Sequence, residues 1–434
     1  MDYSNMPKRN IIAIDMKSFF ATCECVERGL DPYTTPLVVA EPGRNGAITL
    51  AVTPYMKSLG VKSRSRIYEI PSNIKYITVP PRMKLYVEMS KKVVSIYQDF
   101  ISKEDIHVYS IDECFLDVTD YLHMYNLTDY ELAKKIMKTI KDKTGLIGTA
   151  GIGPNMLIAK VAMDIEAKHN DDNIAKWTYE DVHKKFGQIT PLSDFWGIGK
   201  RMERNLNAMG INKIADLASY DKNKLKKKFG IIGEELWNHA NGIDLSRIND
   251  FSYEKKDKSF GHSQVLFKDY DEDNIGLIIK EMVEVLAARL RRHNKLTKVV
   301  GFGIGYSKIY GGGFYHSRKL SNPTHDEKTL YEMCMSLFNK FYEGYPIRKV
   351  SINFAGLENN NSEQLNLFEN YQEKQKRDNI NYAVDDIKNK YGKNSIVKAS
   401  SLLKDSTAIQ RNKKIGGHRE WKTEKWSSGD HLIQ

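Results

Sequence analysis

The order of strand-like and helix-like segments in residues 259–357 restricts the fold of this chain more than any other feature of its sequence. Two segments have the apolar spacing of amphipathic helices, and four have the pattern of strands. In chain order they are strand 259–267, helix 274–293, strand 299–307, strand 313–321, helix 327–342 and strand 348–357. This βαββαβ order is typical of a ferredoxin-like unit. We therefore predict a separate domain here, preceded by a polar, charged linker at residues 246–258.

Strand and helix patterns also alternate over residues 1–170. The β-branched run at residues 11–14 predicts a buried strand, and residues 106–118 predict two short strands joined by a tight turn. Alternation of this kind favours one mixed sheet covered by helices. Residues 171–245 show short helical patterns and almost no strand pattern. The fold class that follows is an α+β chain of several domains.

The balance of charges is compatible with a polyanionic partner. Lys and Arg number 66 against 55 Asp and Glu, which gives a formal charge of +11. Phosphate charge dominates nucleic-acid binding, although a basic excess alone does not establish it. The four cysteines are too few and too scattered for a disulfide framework. No apolar run approaches the roughly 18 residues of a membrane helix, so we expect a cytoplasmic protein.

Three carboxylates stand at the ends of predicted strands. Asp15 follows the first apolar run, and Asp112 and Glu113 lie at the tip of the predicted hairpin. Mg²⁺ prefers carboxylate and phosphate oxygens. Two such ions roughly 3.5–4 Å apart can activate an attacking oxygen and hold a leaving one in phosphoryl transfer. The three residues therefore predict a two-magnesium site, which polymerases, cyclases and nucleases all use.

Aromatic and basic residues accompany these positions along the chain. Phe19 and Phe20 follow Asp15 within about one helical turn, and we interpret Phe19 as core packing and Phe20 as a residue that can border the site. Lys57 belongs to a basic stretch, and Lys160 and Lys168 lie on the predicted helix after the glycine-rich residues 151–153. Such lysines form either a solvated face or a site that neutralises a triphosphate. The second interpretation requires them to lie near the carboxylates.

Two basic clusters predict contacts with a nucleic-acid backbone. Gly197 and Gly199 stand between two helical patterns, as in a helix-hairpin-helix, where glycines let N–H groups approach a phosphate. Lys200 and Arg201 follow them directly. Contacts of this kind position a duplex without reading its bases. The second cluster, at the end of predicted helix 274–293, is Arg289, Arg291 and Arg292.

These segments, in this order, resemble the Y-family of translesion DNA polymerases. Residues 15–20 (DMKSFF) resemble the family's first metal motif. Residues 110–117 (SIDECFLD) resemble its second and are the most specific match, and residues 151–160 are similar to its third. The resemblance runs from about residue 10 to residue 357. It is strongest to the bacterial UmuC/DinB-like branch, including the short forms of Gram-positive hosts.

The resemblance implies a right-hand polymerase with a ferredoxin-like palm, small fingers, a helical thumb that carries the hairpin, and the βαββαβ unit as little finger. The implied bounds are palm 1–30 and 74–170, fingers 31–73, thumb 171–245, linker 246–258, little finger 259–357 and a flexible tail 358–434.

The resemblance also implies roles for single residues. Asp15, Asp112 and Glu113 would hold two Mg²⁺ ions, with the carbonyl of Met16 as a further ligand. Phe20 would be the steric gate, a ring that collides with a ribose 2′-OH. The family's usual tyrosine and arginine over the triphosphate are not both in place, because Tyr55 is one position out of register and Lys57 stands where arginine is common. The nucleotide-binding residues implied are Phe19, Tyr55, Lys57 and Lys168.

A short apolar peptide interrupts the polar sequence after residue 357. Leu and Phe side chains in such a segment are typical of anchors that enter a groove on a partner. After a Y-family core, the peptide resembles the bacterial sliding-clamp-binding motif. The residues implied in clamp binding are Gln364, Leu365, Leu367 and Phe368.

We therefore expect a DNA polymerase that adds deoxynucleotides to a primer 3′ end with low fidelity, in translesion synthesis during the DNA damage response. Its expected partners are primer-template DNA, dNTP and the sliding clamp, and it is expected to be a monomer. A metal-dependent nuclease and a non-catalytic DNA-binding accessory protein are the alternatives. Primer extension separates them, since the three would give longer products, shorter products or only a mobility shift.

Overall fold

The computed structural model describes residues 2–42, 46–251, 259–360, 371–416 and 418–419. The chain forms two compact units, Met1–Glu254 with His418–Gln434 and Lys255–Gly417. None of the helices in the described ranges combines the length and the apolar character needed to cross a membrane.

The first unit contains two sheets and a set of helices. Its described strands are β1 (Ile11–Met16), β2 (Leu37–Val39), β3 (Ala51–Val52), β4 (Ile77–Val79), β5 (Ile106–Val108), β6 (Glu113–Asp117), β7 (Gly148–Gly153) and β8 (Ile174–Lys176). Its described α-helices are α1 (Phe19–Glu27), α2 (Pro54–Ser58), α3 (Met83–Gln98), α4 (Leu122–Tyr125), α5 (Asp129–Thr144), α6 (Met156–Ile165), α7 (Tyr179–Lys185), α8 (Lys200–Asn207), α9 (Ile214–Ser219), α10 (Lys222–Phe229) and α11 (Ile231–Ala240).

Strand β1 lies at the centre of the larger sheet, whose order is β5-β6-β1-β7-β8. Successive side chains of a strand point to opposite faces. Ile12 and Ile14 accordingly pack in the core with α3 and α5, whereas Ile11 and Ala13 pack against residues of α6. Burial on both faces explains why this strand reads as a continuous apolar run.

Two glycines of β7 let helix α6 approach the sheet closely. A Cβ atom added to Gly151 would lie 2.0 Å from the carbonyl oxygen of Ala159. A Cβ atom on Gly153 would lie 2.6 Å from the backbone nitrogen of the same residue. Larger residues would therefore push α6 away from β7. The glycine-rich segment 151–153 fixes the position of a helix that carries charged residues of the site.

The smaller sheet of the first unit has the order β3-β2-β4. Strand β4 pairs in parallel with β2, so residues 77–79, which lie in the predicted palm, share a sheet with strands of the predicted fingers. Strand β8 pairs in parallel with β7, so residues 174–176 of the predicted thumb continue the larger sheet. Strand pairing between distant segments leaves no local mark in the sequence.

The second unit confirms the predicted βαββαβ order. Its sheet has the strand order β11-β10-β12-β9, and apolar side chains of both helices pack with it in one core. These elements are β9 (Ser259–Tyr270), α12 (Ile275–Arg292), β10 (Lys295–Tyr306), β11 (Gly313–Thr324), α13 (Glu327–Phe341) and β12 (Ile347–Asn359).

The sequence that follows β12 is not a flexible tail over its described part. Helix α14 packs along α12, where Lys388 lies 2.7 Å from Glu284. Further on, the Thr407 backbone N–H donates to the buried carboxylate of Glu281 at 3.2 Å. Because the attachment is largely polar, apolar periodicity did not predict it. The described elements here are α14 (Tyr371–Tyr391), α15 (Ala408–Arg411), β13 (Lys414–Ile415) and β14 (His418–Arg419).

Two other predictions concern segments at the edges of these ranges. The predicted linker 246–258 begins later than expected, since Ile248 is buried against the core residues Ile11 and Phe115. Residues 252–258 lie outside the described residues. The peptide predicted to bind a clamp, Gln364, Leu365, Leu367 and Phe368, also lies outside them.

Candidate active site

Strand pairing brings the predicted carboxylates to one end of the larger sheet. Asp15 of β1 is the register partner of Glu113 at the start of β6. The backbone N–H of Met16 donates to the carbonyl of Asp112 at 3.0 Å, which ties the residue before β6 to β1. The structure therefore places Asp15, Asp112 and Glu113 at one end of the same sheet.

A tight turn orients Asp112. The backbone N–H groups of Tyr109 and Ser110 both donate to the carbonyl of Glu113 at 3.0 Å, which closes the turn between β5 and β6. The Ser110 hydroxyl donates to Oδ1 of Asp112 at 2.6 Å. Ser110 thus holds one carboxylate oxygen of Asp112 and leaves the other for a different partner.

Two lysines of the α6 region neutralise the remaining carboxylates. Nζ of Lys160 lies 2.7 Å from Oε1 of Glu113, and both side chains are nearly buried, 9% and 11% exposed. Nζ of Lys168, in the 3₁₀ turn Ala167–His169, lies 2.8 Å from Oδ2 of Asp15. The structure therefore places Lys168 beside the carboxylates, as its predicted role requires. Lys160, the other lysine of that predicted helix, is the second lysine beside the carboxylates.

Burial and neighbouring charges perturb the titration of these carboxyls. Burial raises the pKa of Asp15, the Lys168 ammonium opposes that rise, and the negative charge of Asp112 adds to it. Burial likewise raises the pKa of Glu113, with Lys160 acting against it. A buried carboxylate needs a counter-charge, and the site accordingly favours cations at these oxygens.

The donor set fits a hard divalent cation. Asp15, Asp112 and Glu113 offer only oxygen ligands, which Mg²⁺ prefers. Ammonium groups contact Asp15 and Glu113 at 2.7–2.8 Å, so these oxygens are already paired with positive charge. In the described residues no three His, Cys, Asp or Glu side chains converge on one point.

The turn from β1 to α1 presents two aromatic rings beside Asp15. Ser18 adopts the left-handed conformation, with φ of 49°, and α1 begins at the next residue. Phe19 is buried in the core, 3% exposed, as predicted. Phe20 is half-buried, and its ring centroid lies 4.7 Å from that of Tyr86.

Tyr86 is itself fixed by a buried carboxylate that the sequence did not reveal. Its hydroxyl donates to Oε1 of Glu24 at 2.6 Å. Glu24 is fully buried and pairs with Arg82 at 2.7 Å and with Arg28. A ring packed on an anchored neighbour has little freedom to move, so Phe20 has a rigid backing on the side of Tyr86.

Helix α2 carries the two residues predicted to replace the usual triphosphate contacts. Tyr55 is half-buried, and its backbone N–H donates to the carbonyl of Pro32 at 3.2 Å. Burial lowers the pKa of Lys57. The nearby charge of Lys168 lowers this pKa further, and the charge of Asp15 opposes the change. Lys17, which the sequence analysis missed, also lies near these lysines, and its ammonium bonds to Asn173. Its position directly after Met16 was the available signal.

Comparisons with known proteins identify the family. Residues 14–164 match the model of the impB/mucB/samB family, residues 257–367 match that family's C-terminal domain, and residues 193–244 match the model named DNA polymerase-iota, thumb domain. The putative UV-damage repair protein UvrX of Bacillus subtilis (strain 168) is 42% identical over 423 residues, which cover 96% of this chain and 100% of the relative. DNA polymerase IV 2 of the same organism is 34% identical over 420 residues, 95% of this chain and 99% of that relative.

The chain belongs to the Y-family of DNA polymerases.

A solved structure supports the fold of this Y-family polymerase. A Y-family DNA polymerase chimera of Dbh and Dpo4 aligns with a TM-score of 0.64 over 81% of this chain and 100% of that one, at 22% identity. The predicted fold class, a right-hand polymerase with a helical thumb and a βαββαβ little finger, is confirmed. The chain is a DNA-directed DNA polymerase with a role in DNA repair, and its substrates are primer-template DNA and dNTP.

The thumb hairpin of this polymerase borders the carboxylates. Gly197 and Gly199 line a cleft of about 470 Å³ together with Glu113, Lys160 and Asp164. Gly197 has φ of +91°, a conformation that glycine adopts without strain. Trp196, which the sequence analysis did not single out, also lines the cleft, and its indole N–H donates to the Tyr109 hydroxyl at 3.3 Å.

The basic residues after the hairpin have different surroundings. Lys200 donates to Oγ of Ser193 at 2.7 Å and lies 3.3 Å from Glu203, so part of its charge is used within the thumb. Arg201 is exposed at the start of α8. Contact of either residue with DNA remains a prediction.

One residue of the predicted arginine cluster is wrongly assigned to DNA. The Arg291 side chain is 2% exposed and lies 2.6 Å from Asp385 of α14 and 3.1 Å from Glu327 of α13. A buried guanidinium held by two carboxylates is not available to a phosphate. Arg289 and Arg292 are exposed, and Arg289 covers the ring of Phe260 at 4.5 Å, so these two remain predicted DNA contacts.

Proposed function

We propose that this Y-family polymerase performs low-fidelity translesion synthesis through two Mg²⁺ ions held by Asp15, Asp112 and Glu113, with the Met16 carbonyl as a further ligand. The observation that carries the proposal is the register of β1 and β6, which sets Asp15 opposite Glu113 and ties Asp112 to the same sheet end. The name of the relative UvrX, a putative UV-damage repair protein, supports a role at damaged DNA.

Different residues of the chain would have different roles in nucleotide addition. Bound at these carboxylates, Mg²⁺ would favour the deprotonated primer 3′-OH and neutralise charge that develops on the phosphates. Lys168 and Lys57 would contact the triphosphate as point charges, without the two-pronged geometry of arginine. Phe19 and Tyr55 would border the nucleotide. The Phe20 ring, held rigidly against Tyr86, would exclude the ribose 2′-OH.

We propose further contacts for the rest of the chain. The hairpin at Gly197 and Gly199, with Lys200 and Arg201, and the exposed arginines 289 and 292 would bind the DNA backbone. Residues 364–368 would bind the sliding clamp. The polymerase would act as a monomer in the cytoplasm.

The replacement of Asp112 by Ala tests the proposal. We expect nucleotide addition to be lost while DNA affinity stays close to that of the unchanged protein, because basic groups elsewhere hold the duplex. The assay is extension of a labelled primer with Mg²⁺ and dNTP on an undamaged template and on one with an abasic site. Strong extension by Asp112→Ala would refute the metal assignment, and failure of the unchanged protein to pass the lesion would refute synthesis across abasic sites.

A matched control comes from the same strand. Asp117 ends β6 at the opposite end of the strand from Glu113, where its carboxylate accepts from the Thr119 backbone N–H at 3.1 Å. Asn at this position retains the acceptor, so Asp117→Asn should extend primers normally. Product lengths also separate the alternatives, since a nuclease would shorten the primer and an accessory protein would leave it unchanged.

A further inference from the structure

Three charged residues repeat at intervals of four along α6 and the 3₁₀ turn that follows it. Lys160 lies 2.7 Å from Glu113 and 3.0 Å from Asp164. Lys168 lies 2.8 Å from Asp15 and 2.7 Å from Asp164. The two lysines therefore connect both strand carboxylates to one helical carboxylate, and Asp164 is the acceptor that they share.

The backbone around this cluster has little room to adjust. The close packing of α6 on Gly151 and Gly153 fixes the helix against β7. When a metal ion binds Asp15 or Glu113, the lysine side chains can therefore move while the helix stays in place. Asp164 lies within reach of both ammonium groups and does not depend on the strand carboxylates for its position.

We propose that Asp164 is a positioning residue, which retains Lys160 and Lys168 at the site when Asp15 and Glu113 bind Mg²⁺. The inference rests on the metal site proposed above. An ammonium and a divalent cation compete for the same carboxylate oxygens. If a second carboxylate stays paired with the ammonium groups, the lysines release those oxygens at a lower cost in free energy. Lys168 then stays beside the triphosphate instead of returning to Asp15.

An ordinary structural role predicts a different outcome. Lys160–Asp164 and Asp164–Lys168 have the spacing of helix ion pairs, which stabilise little when partly exposed. If that were their whole contribution, a change at Asp164 would alter stability slightly and leave metal and nucleotide binding unchanged.

The test is Asp164→Asn in the full-length protein. Mn²⁺ binding is measured by calorimetry without DNA or nucleotide, and the KM for dNTP and kcat are measured by primer extension. Residues that orient metal ligands typically change metal affinity by about tenfold or more. We expect a loss of that order in Mn²⁺ affinity and a raised KM with a smaller change in kcat. Asp164→Glu should restore most of both, and Asp142→Asn, an exposed change on α5, should affect neither.

Lys160→Met removes one competing ammonium and provides a second, independent measurement. We expect this variant to bind Mn²⁺ more tightly than the unchanged protein, and the loss caused by Asp164→Asn to shrink in the double variant, because contacting residues are energetically coupled. Unchanged Mn²⁺ affinity and KM in Asp164→Asn would overturn the inference, provided that Asp15→Asn abolishes Mn²⁺ binding. If Asp15→Asn also binds Mn²⁺ normally, the proposed metal site itself is wrong.

Discussion

Asp15 and Glu113 lie opposite each other on β1 and β6, yet each is neutralised by a different lysine of one helical segment. The arrangement leaves the sheet end with alternating charges, in which every ammonium lies between two carboxylates. Such a site can exchange one cation for another without exposing an unpaired buried charge.

The extension rate should depend on pH through Asp15 and Glu113. Burial raises the pKa of Asp15 and Glu113, so protonation begins at a higher pH than for ordinary carboxyls. Protonated carboxyls bind cations poorly, and the rate should fall on acidification from above the ordinary carboxyl range. Because Mg²⁺ favours the ionised form, saturating Mg²⁺ should move this fall to lower pH. The measurement is single-turnover extension across pH at two Mg²⁺ concentrations. If the pH at which the rate falls does not change with Mg²⁺ concentration, a group other than Asp15 and Glu113 causes the fall.

The same pKa directions have a consequence for stability. A carboxyl whose pKa is raised in the folded state binds its proton more tightly there, so its contribution to stability falls as pH rises through the raised pKa. Ions that bind the deprotonated carboxylates offset this loss. The rise in melting temperature on adding Mg²⁺ should therefore be larger at neutral pH than at acidic pH, which thermal denaturation at both values will show.

Phe20→Ala should raise ribonucleotide incorporation relative to deoxyribonucleotide incorporation. The ring is held against Tyr86, and its removal leaves space for a 2′-OH; steric discrimination of this kind is worth about 1–3 kcal/mol, or roughly tenfold or more in selectivity. Single-nucleotide insertion kinetics with both substrates give the ratio. Val93→Ala, a change in the buried core of α3, serves as the control and should leave the ratio unaltered. An unchanged ratio in Phe20→Ala would show that the ring only packs.

Arg291→Met should destabilise the little finger. Its side chain pairs with Asp385 and Glu327 out of contact with solvent, and breaking a buried pair typically costs about 3–5 kcal/mol. Arg292→Ala, on the exposed face beside it, should leave stability almost unchanged and weaken DNA binding. Denaturant unfolding and DNA titration of both variants separate the two roles. Equal stability of Arg291→Met and the unchanged protein would contradict the buried pairing.

Arg291 also shows how far the sequence predicts this structure. Strand ends and a tight turn are local patterns, so the places of Asp15, Asp112 and Glu113 in their elements were predictable, and the family resemblance indicated that the three act together. One partner of Arg291, Asp385, is 94 residues away, in a segment without apolar periodicity, and nothing local distinguishes this arginine from its exposed neighbours. Asp164 did carry a signal, the spacing of four from Lys160 and Lys168, but spacing alone does not indicate which strand carboxylates those lysines meet.

Arg201→Ala should weaken DNA binding equally on unrelated sequences. Arg201 is exposed beside the hairpin glycines, and a contact with phosphate carries no base information. Losing one such contact should reduce the slope of log affinity against log salt by about one. Titrations on two duplexes at several salt concentrations measure this, with Lys184→Ala on α7 as a control. A change confined to one duplex would indicate base reading.

Replacement of Leu367 and Phe368 by Ala should leave extension by the isolated polymerase unchanged and abolish its stimulation by a clamp-loaded template. In the sequence, the two residues lie between β12 and α14, and neither belongs to a segment that carries a residue of the candidate active site. A peptide that binds the clamp raises the local concentration of the polymerase at the primer end without altering its chemistry. Loss of two apolar anchors at the centre of such an interface typically costs at least about 2 kcal/mol each, which is enough to remove a modest affinity. Processivity is measured with and without clamp for both proteins, and Asn366→Ala, between the two leucines, serves as the control. Equal stimulation of the double variant and the unchanged protein would place any clamp contact elsewhere on the chain.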